Sequence, residues 1–100
     1  MAWKVLIADS ALADLREIVE FIAQDDPEAA ERMGNRLVAR ALGLAAMPER
    51  HVVHDAARQI RKFPVVPYLV FYHCDRSTHT VSIIHFWHGS VSGPNLAETR

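Results

Sequence analysis

Apolar and polar positions change their spacing three times along this chain. In "WKVLIAD", Val5 and Ile7 alternate within a short apolar run, which suits a first strand. From Ala11 the period becomes helical. Ala11, Leu15, Ile18, Val19 and Ile22 recur on one side, with Arg16, Glu17, Glu20 and Gln24 on the other. This predicts an amphipathic helix of about four turns, with Asp9 or Ser10 placed to cap it by accepting from a free backbone N–H. "QDDPEAAERMG" reads as a stop and a restart. Asp26 suits an N-cap, Pro27 suits the first helical position, and Glu28 and Glu31 suit the positive end of the helix dipole. Ala30, Met33, Leu37, Ala41 and Leu44 then form a second stripe, which Pro48 is expected to end. So short a connection implies an antiparallel helical hairpin. Its buried stripe is read as Leu15, Ile18, Ile22, Met33, Leu37 and Leu44. Gly34 inside a helix costs about 1 kcal/mol against alanine, so close packing of the two helices is its expected compensation.

After Pro48 the period shortens to two. "RQIRKF", "PYLVFYH" and "TVSIIHFWH" read as strands, and "CDRST" between the last two reads as a turn. The order predicts an α+β domain: an N-terminal strand, an antiparallel helical hairpin, then a three-stranded, mostly antiparallel sheet. At 100 residues, with no repeat or linker, residues 1–100 are read as a single domain.

Charge adds an asymmetry that the net value of −1 hides. Residues 1–49 hold five Lys/Arg against nine Asp/Glu, whereas residues 50–100 hold six against three together with all six histidines. The first half is an acidic, solvated helical surface. The second is mildly basic and gains charge as pH falls through the histidine range. A dedicated nucleic-acid binder would carry a clearer basic excess. No apolar run approaches the roughly 20 residues of a membrane span, and the N-terminus has no signal-peptide pattern, so a cytoplasmic protein without a membrane partner is expected. One cysteine excludes an internal disulfide and a cysteine-rich zinc knuckle.

The histidines at the end of the chain raise the question of chemistry. In a regular strand Val81, Ile83, His85 and Trp87 share one face and Ser82, Ile84, Phe86 and His88 the other. His85 and His88 then diverge unless a bulge intervenes, and neighbouring His73 and Cys74 diverge as well. A zinc site needs three or four converging ligands, so no metal site is expected; the sequence calls for no cofactor. The histidines are read as lining sheet edges or pairing locally. One catalytic alternative is His88, at a strand end before Gly89, where it could move a proton. "HGSVSG" lacks the flanks of a nucleophile elbow, and "GSVSGP" lacks the lysine of a phosphate loop.

Four blocks in order resemble the ParE/RelE toxin superfamily of type II toxin–antitoxin modules. They are "SALADLREIVEFIAQDDPEAA", "LGLAAMPER", "RQIRKFPVVPYLVFYH" and "VSIIHFWHG", and the resemblance runs from residue 4 to about residue 90. It implies a toxin, of a plasmid-stabilisation type, neutralised by a cognate antitoxin. RelE-like members are ribosome-dependent ribonucleases that cleave messenger RNA; ParE-like members inhibit DNA gyrase with no known catalytic set. Cleavage through a 2′-OH needs cations to stabilise the phosphorane charge. RelE-like chains place an arginine directly after the strand tyrosine and another near the end of the last strand. Here Leu69 follows Tyr68, and no arginine follows in His88-Gly89-Ser90-Val91.

The resemblance is therefore closer to the ParE side, with gyrase as the expected target and no catalytic residue. The expected binding residues are Arg58, Arg61, Lys62, Tyr68, Tyr72, Trp87 and His88, and antitoxin binding is expected to hide apolar surface such as Trp3, Phe71 or Trp87. The enzyme alternative is a RelE-type endoribonuclease that targets the ribosome and uses Arg58, Arg61, Lys62 and His88. A third reading is a non-toxic homologue that serves only as an antitoxin partner.

Overall fold

The computed structural model describes residues 2–89. Strand β1 (Lys4–Ile7) leads into helices α1 (Asp9–Ala23) and α2 (Pro27–Leu42), two short 3-10 turns, and strands β2 (Val52–Asp55), β3 (Ile60–Val65), β4 (Tyr68–Asp75) and β5 (Thr80–His88). All five strands join one sheet in the order β1-β5-β4-β3-β2. The β1–β5 pair is parallel and the other three are antiparallel.

The expected α+β class stands, with two additions. β1 joins the same sheet as the C-terminal strands, and β2 is a fourth strand after the helices. β2 escapes notice in the sequence because it has four residues, and its two valines are both exposed. It shows none of the alternation that marks a half-buried strand.

Helix α2 begins as its sequence implies: the Asp26 carboxylate accepts from the Ala29 N–H at 3.1 Å, with Pro27 at the first position. Helix α1 does not use the expected cap. Its N-cap is Ala8, without a side-chain hydrogen bond. The Ser10 hydroxyl is drawn instead to a strand carbonyl, that of Ile84, at 2.7 Å. Helix α2 also ends before Pro48. The chain tightens into a 3-10 turn at Gly43–Ala45, and Met47 takes a left-handed conformation (φ 52°) ahead of Pro48. Right-handed helix is disfavoured before a proline, which accounts for the break. Gly34 lets the helices close: a Cβ there would lie 3.1 Å from Val19 Cγ2.

The main core sits between the hairpin and one face of the sheet. Leu37, Ala41 and Leu44 meet Phe63, Val65, Val70, Tyr72, Val81, Ile83 and Phe86, and Leu15, Ile18 and Met33 pack half-buried at the margin. Leu37 is the one large side chain of α2 that is fully buried, flanked by the small residues Ala30 and Ala41. The opposite face carries a second cluster without helical residues: Ile60, Leu69, Phe71, Ile84 and Trp87.

Candidate functional site

The split of β5 between these two clusters corrects the face assignment made from alternation. The β4–β5 register shifts between Phe71 and Tyr72, which pair with His85 and Ile83 and leave Ile84 as an extra residue. Such a bulge reverses the faces beyond it. Val81, Ile83 and Phe86 therefore share the helical side, and Ile84 and Trp87 share the open side.

At the bulge β5 outruns β1, whose pairing stops at Ile7–Ile83. Its edge would then present bare backbone groups. Helix α1 satisfies them with two residues one turn apart: Ser10 donates to the Ile84 carbonyl, and the Asp14 carboxylate accepts from the Phe86 N–H at 3.2 Å. The same Asp14 oxygen lies 2.6 Å from His85 Nδ1, and both side chains are mostly buried. His85 therefore pairs with α1, 71 residues away in sequence. Asp14→Ala is expected to leave the Phe86 N–H without its partner and to cost about 2 kcal/mol. A lowered urea midpoint checks this, and an unchanged midpoint would remove Asp14 from the account.

The expected binding residues fall in separate places. Arg58 lies in the β2–β3 turn, where it donates to Asp55 at 2.9 Å and holds that carboxyl below its ordinary range. Arg61 and Lys62 alternate across β3. Arg61 donates to the His51 carbonyl at 2.7 Å, and Lys62 stands opposite Phe71 on the open face. Trp87 is half-buried on that same face, beside Leu69 and Ile84. Tyr72 has no exposed surface, and its hydroxyl donates to the Pro48 carbonyl, so it supports the fold and cannot meet a partner directly. Tyr68 is nearly buried and meets the exposed His88 ring edge-on at 5.4 Å. Arg61 pairs with Tyr72 and His88 with Tyr68. Four residues along β4, about 14 Å at the strand rise, therefore separate Arg61 from the histidine, and Lys62, opposite Phe71, lies on the other face. The structure does not bring the alternative catalytic set together.

Three arginines do converge where the sequence did not group them. A cleft of about 150 Å3 opens between the last turn of α2 and the start of β2, lined by Arg40, Gly43, Leu44, Arg50, His51 and Phe63. The His51 ring stacks on Phe63 at 4.8 Å, and the Arg40 guanidinium lies 5.8 Å from the centre of the same ring. Burial, followed by the positive charges of Arg50, Arg40 and Arg61, holds His51 below its ordinary pKa.

No group of three or more His, Cys, Asp or Glu residues able to hold a metal occurs among the described residues. Expected apolar contact residues are also redistributed. Phe71 is buried at 2 % exposure, and Trp3 and Trp87 are half-buried. The large apolar residues that face solvent are others, including Phe21 at 69 %, Met47 at 68 % and Val52 at 66 %. No described helix is long and apolar enough to cross a membrane. Ser90, Ser92 and the tail "NLAETR" lie outside the described residues.

The family model described as the ParE toxin of the type II toxin–antitoxin system parDE matches residues 5–92. The chain belongs to the ParE toxin family. Among curated relatives of this ParE-family chain is Toxin RelE2 of Caulobacter vibrioides, 43% identical over 77 residues, covering 75% of this chain and 85% of that one. Among solved structures, the chromosomal ParDE toxin–antitoxin system of P. aeruginosa superposes with a TM-score of 0.71 at 14% identity, covering 87% of this chain and 96% of that one. The RelBE2 toxin–antitoxin complex of Mycobacterium tuberculosis gives a TM-score of 0.67 at 20% identity, with 88% and 99% covered. These two structures establish the toxin fold. In this ParE-family chain the sheet face away from the helices carries the apolar cluster Ile60, Leu69, Phe71, Ile84 and Trp87, and Arg61 of β3 lies on the helical side.

Proposed function

We propose that this ParE-family toxin acts by binding DNA gyrase in the cytoplasm and is neutralised by a cognate antitoxin, in the manner of plasmid-stabilisation modules. The observation that carries the reading is the composition of the open face. Where RelE-like chains place an arginine after the strand tyrosine, this chain has Leu69, packed with Ile60, Phe71, Ile84 and Trp87. Lys62 is the one Lys or Arg of β3 and β4 on that face. Such a surface suits docking more than stabilising a developing phosphorane charge. Trp87 and Lys62 are the proposed gyrase contacts, with Arg58 and His88 at the two ends of the sheet and Arg61 and Tyr68 holding its helical side.

Support for an antitoxin comes from the exposed apolar residues and from the two solved neighbours, described as a toxin–antitoxin system and a toxin–antitoxin complex. Phe21 and Leu12 on α1, and Val52 and Val53 on the edge strand β2, are exposed apolar side chains that a partner segment could cover.

The test is induced expression in a bacterial host without antitoxin. Growth arrest is expected. It should persist in His88→Ala and weaken at least tenfold, judged by inducer dose, in Lys62→Ala/Trp87→Ala. Loss of arrest in a folded His88→Ala protein, with transcript cleavage by the parent chain, would replace this reading with the ribonuclease one. No arrest by the parent chain would leave the non-toxic partner reading.

A further inference from the structure

We propose that the cleft between the last turn of α2 and the start of β2 binds the phosphate group of a phosphate monoester. Three features of the cleft support this, and none belongs to the open face assigned to gyrase.

The first is unbalanced charge. Arg40 and Arg50 line the cleft, and Arg61 stands behind His51 with its guanidinium on the His51 carbonyl. Among the described residues no carboxylate pairs with any of the three. The neighbouring Glu49 is engaged by Arg76. Arg40 and Arg50 are exposed, so water screens them, but three guanidinium groups around one cleft set up a local positive potential that attracts an anion. Arg40 has a partial compensation in the negative C-terminal end of α2; Arg50, in the 3-10 turn at Pro48–Arg50, has none.

The second is size. About 150 Å3 admits one compact head group. The third is chemistry. A phosphate monoester near neutral pH carries between one and two negative charges and three acceptor oxygens, which suits two arginine forks with a third cation behind them. A single carboxylate would leave more positive charge uncompensated. His51 offers one ring N–H donor when neutral and a second once protonated, and an anion at the cleft wall would favour that protonation. The stacked His51 and Phe63 rings set an aromatic wall beside the head group. The monoester could come from a free nucleotide or from the phosphorylated end of a polynucleotide.

The experiment titrates the full chain with inorganic phosphate and then with adenosine monophosphate. It also uses a short oligonucleotide bearing either a 5′-phosphate or a 5′-hydroxyl, all at constant ionic strength, while the His51 ring protons are followed by NMR. Phosphate is expected to shift these resonances saturably and to raise the pH at which His51 titrates. Arg40→Gln/Arg50→Gln should weaken the phosphate response at least tenfold. Arg50→Gln alone, at an exposed position, should weaken it severalfold and covers the case in which the double variant does not fold. Arg16→Gln, on the solvent face of α1, should leave it unchanged. Saturable binding of the nucleotide alone would assign the free source; binding of the 5′-phosphorylated strand, but not the 5′-hydroxyl strand, would assign the polynucleotide end. The proposal is overturned if acetate at matched ionic strength acts as phosphate does. Equal binding of the two strands, or an unchanged response in both the single and the double arginine variants, would also overturn it.

Discussion

Leu37→Ala is expected to destabilise this protein by about 3 kcal/mol, within the usual range for truncating a fully buried leucine. The reason is the composition of α2. Its other buried positions, Ala30 and Ala41, are small, so Leu37 is the one large side chain that the helix buries fully in the sheet core, with Met33 at its margin. The helices cannot close over the gap, because Gly34 already brings α2 against Val19 at the limit of contact. A domain of this size has roughly 5–10 kcal/mol in total, and 1 kcal/mol moves its midpoint by about 4–8 °C. Thermal denaturation should therefore show a fall of about 12–24 °C. A fall of a degree or two would mean that α2 is held by something other than this core.

The second large effect is alkaline. Burial raises the pKa of Cys74 and of Tyr68, and it raises Tyr72 furthest. All three are acids that are neutral when protonated. The folded chain therefore keeps its protons above the pH at which the unfolded chain loses them. Stability is complete below the unfolded values, about 8.5 for cysteine and 10 for tyrosine, and falls as pH rises through them. Each group can remove up to about 1.4 kcal/mol per pH unit beyond its unfolded value. Urea midpoints should be flat from pH 7 to 8, decline gently to pH 10 and drop steeply by pH 11. Tyr72→Phe should be less stable at pH 7 by about 1 kcal/mol, since it leaves the Pro48 carbonyl without its donor. It should also have a shallower slope above pH 10. Parallel curves for the two proteins would contradict the assignment.

Much of this architecture can be read from local pattern. Both helices, the Asp26 cap and three of the four C-terminal strands follow from spacing within a few residues, where propensity and burial agree. What escapes is set by contacts between distant parts of the chain. The bulge at Ile84 is invisible because "SIIHF" alternates acceptably in either register; only the pairing of Phe71 with His85 and Tyr72 with Ile83 reveals it. Ser10 reads as a helix cap because a serine before an apolar stripe is a good one. It is diverted to β5 because that strand extends beyond β1.

The candidate site divides in the same way. Arg58, Arg61 and Lys62 look like one basic cluster because they are close in sequence. In a strand, however, neighbours point apart, and a turn carries the first of them to Asp55. Arg40, Arg50 and Arg61 are spread over a helix, a 3-10 turn and a strand, and the fold brings their charges to bear on His51. The ParE likeness was visible because its four blocks keep their order, although each consists mainly of core positions.

The central claim is that this toxin acts on gyrase without chemistry of its own. Its most direct test is supercoiling of relaxed plasmid by purified gyrase in the presence of the purified chain, beside a ribosome-programmed messenger RNA cleavage reaction. The account predicts inhibited supercoiling, relieved by Lys62→Ala/Trp87→Ala, and intact messenger RNA. Normal supercoiling with a cleaved transcript would contradict it.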